Sequence, residues 1–260
     1  MGKTKKRFGQ HFLINEQVLG DIIYAGNPDS SDHVIEIGPG QGVLTDLLLK
    51  SGAKVTAIEI DRDLIKSLNV RFGHLPNFTL LNQDALQMDW FEFLKGQTGV
   101  KLIANLPYNI SSPLFLTLMR VRKHFASWTV MLQKEVALRL TAAPSSGKAY
   151  GSLSISAGLF FEGKWIVDVP PESFSPAPKV DSAVIQLIPN TQEVTDLKPL
   201  LRFFQQAFTT RRKKLAGRIK QLYPDCKPEL LESLGNRRPE ELGPKEFLQL
   251  YEDLEKPENT

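Results

Sequence analysis

Asn105, Leu106, Pro107 and Tyr108 follow directly on the apolar run KLIA and form a group with a definite chemical capacity. The Asn105 side-chain carbonyl and the Leu106 backbone carbonyl are two hydrogen-bond acceptors, Pro107 fixes the turn that carries them, and Tyr108 adds an aromatic face. An exocyclic amine on a nucleobase has two N–H donors and a lone pair delocalised into the ring, so it is a poor nucleophile. Two acceptors draw its hydrogens out of the ring plane and direct the lone pair toward a methyl donor, while Tyr108 holds a base removed from its own stack. No strong general base is demanded, because the amine's proton becomes acidic once attack has begun.

A second group of residues could supply the donor. The stretch Glu36-Ile37-Gly38-Pro39-Gly40-Gln41-Gly42 leads from a strand into a helix, where glycines let the backbone approach a ligand and the helix terminus offers free amides. Glu59 lies 19 residues after Gly40, at the end of the next strand, placed to accept hydrogen bonds from both ribose hydroxyls of an adenosine-containing cofactor. These features fit either a nicotinamide dinucleotide or S-adenosylmethionine. Asp84, in Gln83-Asp84-Ala85, adds an acceptor for an adenine amine. GPGQG is not GxGxxG, and Glu36 at the first strand would repel a pyrophosphate. The ammonium and sulfonium of S-adenosylmethionine suit an acidic rim better.

Positioning such groups requires a sheet. Apolar runs at 33–38, 54–60, 78–84, 101–106 and 127–133 alternate with helix-like segments, the rhythm of a parallel α/β sheet. Ser111 or Ser112 before Pro113 predicts a hydroxyl-capped helix start. Near residue 160 the pattern changes to two strands joined by a proline-rich connection, which predicts an antiparallel edge pair on the same sheet. Beyond Asn190 four segments have helical spacing, with Pro and Gly between them. The expected organisation is a catalytic domain over residues 1–190 and a small all-helical domain over 191–260.

Composition bounds the remaining possibilities. The chain has 260 residues, 42% of them hydrophobic, which is enough for a packed core. Cys226 is the single cysteine, which excludes an internal disulfide framework and a cysteine-based metal cluster; no metal is expected. No apolar run approaches the roughly 18 residues needed to cross a bilayer, and the start MGKTKKRFGQHF lacks the apolar segment of a secretory signal. A cytoplasmic location without membrane contact is expected. The net charge is only +3, but Lys3, Lys5, Lys6 and Arg7 form one basic cluster, and Arg211, Arg212, Lys213 and Lys214 form another. The second is expected on an early helix of the small domain, facing RNA phosphates.

Taken in order, FGQHFL (8–13), EIGPGQG (36–42), IEID (58–61), QDA (83–85), NLPYNIS (105–111) and SFSPAPKVDSAV (173–184) closely resemble the small-subunit ribosomal RNA adenine dimethyltransferases, the KsgA/RsmA family. The resemblance covers nearly the whole chain. It implies a Rossmann-like S-adenosylmethionine-dependent methyltransferase sheet, and dimethylation of the N6 amine of two adjacent adenosines in the terminal hairpin loop of small-subunit ribosomal RNA. The implied partner is a partly assembled small subunit, met by the chain as a monomer. By matching positions, His11 and Leu13 would line the cofactor, Gly38 would touch its methionine portion, and Glu59 and Asp84 would bind ribose and adenine. Asn105 would lie between cofactor and target, with Phe174 as a second aromatic wall opposite Tyr108. The form regarded as commonest has Asn where this chain has His11, whose imidazole differs in reach and charge. Two rivals share the build: the large-subunit ribosomal RNA methylases of macrolide resistance, which more often carry Ile in place of Leu106, and an RNA-binding assembly factor without chemistry. The intact set Glu59, Asp84, Asn105, Tyr108 and Phe174 argues for catalysis.

Overall fold

The computed structural model describes residues 11–255, so the cluster Lys3 to Arg7 and the first three residues of FGQHFL lie outside the described residues. The strands are β1 (Phe12–Leu13), β2 (His33–Ile37), β3 (Lys54–Glu59), β4 (Phe78–Asn82), β5 (Val100–Asn105), β6 (Phe125–Gln133), β7 (Phe161–Val169), β8 (Phe174–Ser175) and β9 (Ser182–Pro189). Seven of them form one sheet in the order β4-β3-β2-β5-β6-β9-β7. The pairs from β4 to β6 are parallel, and β9 runs antiparallel to β6. The strands expected beyond residue 160 are therefore on the same sheet, at its edge. β1 and β8 make a separate two-stranded antiparallel ladder.

Sequence accounts for this layering. β2 and β3 are buried along nearly their whole length, without the alternation of a strand that has one face in water. The helix Glu16–Gly26 buries Val18, Leu19 and Ile22, and the helix Val43–Lys50 buries Leu44, Leu48 and Leu49. They join Val34, Val55, Ile103, Met131 and Val184 in one core. The chain runs outward from β2 through β3 to β4, then returns to the other side of β2 as β5. The strand order reverses there, and in a parallel sheet the reversal opens a crevice at the carboxyl ends of β2 and β5.

Two helix starts show how local chemistry sets the ends. Asn15 Oδ1 accepts from the amides of Gln17 and Val18 at 3.0 and 3.3 Å, an N-cap for Glu16–Gly26. The helix Ser111–Met119 lacks the expected hydroxyl cap. Ser111 lies inside its first turn and its Oγ donates back to the Pro107 carbonyl at 3.1 Å, bracing the turn before it.

The chain divides into two compact units, and their composition corrects the expected boundary. Described residues up to Ala137 form the first with Gly163–Pro189; Leu138–Glu162 belongs to the second with the described residues from Asn190 onward. One break falls at Pro189, and residues 138–162 are not part of the first unit. The reason is the helix Ser152–Phe160, which is buried nearly all round and packs on the helices Leu197–Ala207 and Pro244–Glu255. The Tyr150 hydroxyl donates to Leu242 O at 2.7 Å in the same unit, and Phe203, Phe204 and Phe247 meet edge to face in its core. All described segments of this unit after Asn190 are helices or the turns between them. Among the described residues no helix is long and apolar enough to cross a membrane.

Candidate active site

The crevice holds a cavity of about 370 Å³ lined by His11, Leu13, Gly38, Glu59, Asp84, Asn105, Leu106 and Tyr108, among others. Eight of the nine residues expected from sequence in the pocket thus converge on one space, of a size that accommodates a small cofactor.

The glycine loop and the NLPY turn meet directly. Gly38 has φ +70°, and a Cβ there would lie 3.1 Å from Cδ and Cγ of Pro107, so only glycine permits this approach. Gly38 N donates to Ile58 O at 2.9 Å, which locks the loop to β3. The Leu106 amide donates to Met131 O at 3.0 Å, holding the other wall to β6. Across the crevice Gln83 N donates to Glu59 O at 3.1 Å, so Asp84 emerges beside Glu59.

Three carboxyl groups line this pocket in different surroundings. Glu36, only 1% exposed, accepts from Thr45 Oγ1 at 2.6 Å. Burial pushes its pKa up to about 8, with the charge of Glu59 adding to the rise. The sequence reading of Glu36 as a charged rim is thereby modified: its burial favours the protonated form near neutral pH. Glu59 is also raised by burial, but amides of Asp61, Gly40 and Ile60 oppose the shift. Its Oε1 accepts from Ile60 and Asp61, each at 2.9 Å, and Oε2 has one long contact of 3.4 Å from Gly40 N. Oε2 therefore keeps acceptor capacity toward the cavity. Asp84 Oδ1 accepts from Leu86 N at 2.9 Å, leaving Oδ2 for a ligand. This donor set fits the adenosine and cationic parts of S-adenosylmethionine.

At the target side, the half-buried Asn105 amide has no hydrogen-bond partner among the described residues. Tyr108 is anchored through its hydroxyl to Ser182 Oγ at 2.5 Å, and burial pushes its pKa up. His11 stacks on the Tyr108 ring, with centroids 5.8 Å apart, and its Nδ1 lies 2.7 Å from Pro176 O.

Phe174 is placed differently from the expectation. It is 4% exposed, sits in the core with Leu13, Met131 and Val184, and does not line the cavity. The cause is β8, whose register pairs Phe174 with Leu13. It supports the pocket through Leu13 and does not face Tyr108 across it.

The basic cluster is also corrected. Arg211–Lys214 lies in the turn before the helix Leu215–Leu222, not on a helix face. Arg212, Lys213 and Lys214 are exposed, whereas Arg211 is tied to Glu240 and to the carbonyls of Gly147 and Lys148.

Ile60 and Ser182 were not singled out from sequence. Ile60, 48% exposed, gives the cavity an apolar wall beside Glu59, and a large aliphatic residue immediately past a strand end was the available signal. Ser182 anchors Tyr108 from the KVDSAV run, and no local pattern links it to a residue 74 positions earlier.

Known proteins resemble this chain over nearly its whole length. A family model described as ribosomal RNA adenine dimethylase matches residues 1–256. Ribosomal RNA small subunit methyltransferase A of Hahella chejuensis is 41% identical over 251 residues, covering 95% of this chain and 92% of that protein. Its namesake in Coxiella burnetii is 39% identical, covering 95% and 96%. Among solved structures, a dimethyladenosine transferase from Plasmodium falciparum superposes with a TM-score of 0.79 at 30% identity, covering 92% of this chain and 96% of that one. The 23S rRNA methyltransferase ErmE gives 0.72 at 25% identity, covering 94% and 100%. With the sheet order, the glycine loop and the NLPY turn in place, the chain belongs to the ribosomal RNA adenine dimethylase family.

Proposed function

We propose that this protein transfers methyl groups from S-adenosylmethionine to the N6 amines of two adjacent adenosines in the 3′-terminal hairpin loop of small-subunit ribosomal RNA. The observation that carries the reading is the Asn105 amide, unengaged by other side chains at the end of β5, beside the cavity of Glu59 and Asp84. The relatives' names support the small subunit as the source of the RNA.

S-adenosylmethionine would supply, when bound, an electrophilic methyl group, its carbon–sulfur bond breaking as the carbon–nitrogen bond forms and a neutral thioether leaving. Glu59 would hold its ribose and Asp84 its adenine amine through their remaining acceptor oxygens, with Ile60 against the ring. Glu36 would face the cationic methionine portion, releasing its proton to solvent on binding. The target adenine, extruded from its loop, stacks on Tyr108, whose hydroxyl is fixed by Ser182. Asn105 Oδ1 and the Leu106 carbonyl accept the two N6 hydrogens and aim the lone pair. After attack the amine's extra proton is acidic and leaves to solvent; Tyr108, with its raised pKa, stays protonated and is not a base. Exposed Arg212, Lys213 and Lys214 neutralise RNA phosphates.

Asn105→Ala removes one acceptor and leaves Tyr108 in place. In single-turnover transfer at saturating S-adenosylmethionine, its rate should fall on the order of 100-fold or more with little change in RNA affinity. A near-normal rate in the folded variant would remove Asn105 from the mechanism.

A further inference from the structure

The ties that fix the NLPY turn act on its backbone. Leu106 N donates to Met131 O at 3.0 Å, Gly38 lies against Pro107, and Ser111 Oγ donates to Pro107 O at 3.1 Å. They place the Tyr108 backbone and leave its side-chain torsions to be set by other partners. Two partners hold the ring. His11 leans on it, with centroids 5.8 Å apart and planes 26° from parallel, and Ser182 Oγ lies 2.5 Å from its hydroxyl. Only the second is a directional bond, and it fixes the far end of the side chain.

Ser182 owes this reach to its place in the sheet. It is the first residue of β9, which runs antiparallel to β6, so it pairs with Gln133 at the carboxyl end of β6. Ala183, Val184 and Ile185 behind it are fully buried, and Lys134 N donates to Asp181 O at 2.9 Å just before it. Its backbone is therefore held. Ser182 is itself 0% exposed, and among the described residues the Tyr108 hydroxyl is the single partner of its side chain. A buried hydroxyl costs free energy unless it is bonded, so alanine would serve the core at least as well. The serine is explained by the ring it holds.

We propose that Ser182 is a positioning residue for methyl transfer: its hydroxyl fixes the plane of the Tyr108 ring, so that the extruded adenine stacks with N6 at the acceptors Asn105 and Leu106. The Tyr108 hydroxyl then serves orientation and contacts neither RNA nor the departing proton. The inference rests on the reading of Tyr108 as the stacking surface for the target base.

The two ends of this bond respond differently to its loss. In Ser182→Ala the half-buried Tyr108 hydroxyl can turn to water, so the ring swings while the fold loses little. In Tyr108→Phe the buried Ser182 hydroxyl loses its partner, so stability falls as well. The double variant leaves neither group unpaired, and recovers stability without recovering the anchor.

The test is single-turnover methyl transfer at saturating S-adenosylmethionine and saturating small-subunit particles, read beside cofactor affinity and thermal unfolding. Tyr108→Ala is the reference: a parental rate in that variant would sink the stacking reading itself. Given its slow transfer, Ser182→Ala and Tyr108→Phe should each react roughly 5- to 10-fold more slowly than the parent, the equivalent of one hydrogen bond, with cofactor affinity unchanged. The double variant should react no more slowly than either single one, and should unfold at a higher temperature than Tyr108→Phe. A bond that only stabilises the fold gives another pattern, in which rate follows stability. Parental transfer by folded Ser182→Ala, or a double variant that regains its rate with its stability, would overturn the inference and leave Tyr108 as the stacking surface. Should Ser182→Ala fail to fold, Tyr108→Phe decides alone, and a parental rate there is the contrary result.

Discussion

Glu36 and Glu59 are two carboxyl groups in one crevice whose surroundings set them to different tasks. Glu59 is held by three backbone amides, which favour its anion, while Glu36 has a single hydroxyl donor and almost no solvent. The result is a proton on Glu36 at neutral pH in the free protein. Its effect on stability has a definite sign. The folded state keeps this proton up to about pH 8, whereas the unfolded chain releases it near the ordinary value of 4.5. Between those limits the folded state holds more protons, so raising the pH favours unfolding. The contribution is fully present below pH 4.5 and lost as pH rises through about 8, on the order of a few kcal/mol. Urea unfolding of the parent and of Glu36→Gln at pH 5 and pH 9 should show a smaller loss in the variant. Equal losses would mean that Glu36 is ionised throughout.

The elements explain which residues could be read in advance. Strands β2, β3, β4 and β5 end at the crevice, so a polar residue at or just past the end of an apolar run announces its own position, and Glu59, Asp84 and Asn105 were legible for that reason. Phe174 was not, because its two-residue strand carries no periodicity and only its pairing with Leu13 decides which way the ring turns. Burial in the core makes Phe174→Ala a stability mutation, costing about 3–5 kcal/mol. Tyr108→Ala, at a half-buried position, should lose target-base stacking of roughly 1–3 kcal/mol with a smaller fall in thermal stability. Thermal unfolding and RNA binding of the two variants separate the roles, and a fully stable Phe174→Ala that loses RNA affinity would restore Phe174 as a stacking wall. The apolar character of the helix Ser152–Phe160 likewise says that it is buried but not against what. Its membership in the second unit therefore follows only from its contacts with the helices Leu197–Ala207 and Pro244–Glu255.

At the scale of the whole molecule the chain assigns different work to its two units. The first carries the cavity with Asn105, Leu106 and Tyr108; the second carries the exposed Arg212, Lys213 and Lys214. The comparison with a 23S rRNA methyltransferase makes the choice of RNA the sharpest question, since that protein shares the fold over 94% of this chain. The decisive measurement is methyl transfer by the full-length protein to three acceptors: unmodified small-subunit particles, free small-subunit RNA and large-subunit RNA, each digested to nucleosides and analysed by mass spectrometry. The account predicts N6,N6-dimethyladenosine at two adjacent positions of the small-subunit terminal loop, formed best in the assembled particle and absent from large-subunit RNA. Dimethyladenosine in large-subunit RNA, or no methylated adenosine in any acceptor, would contradict it.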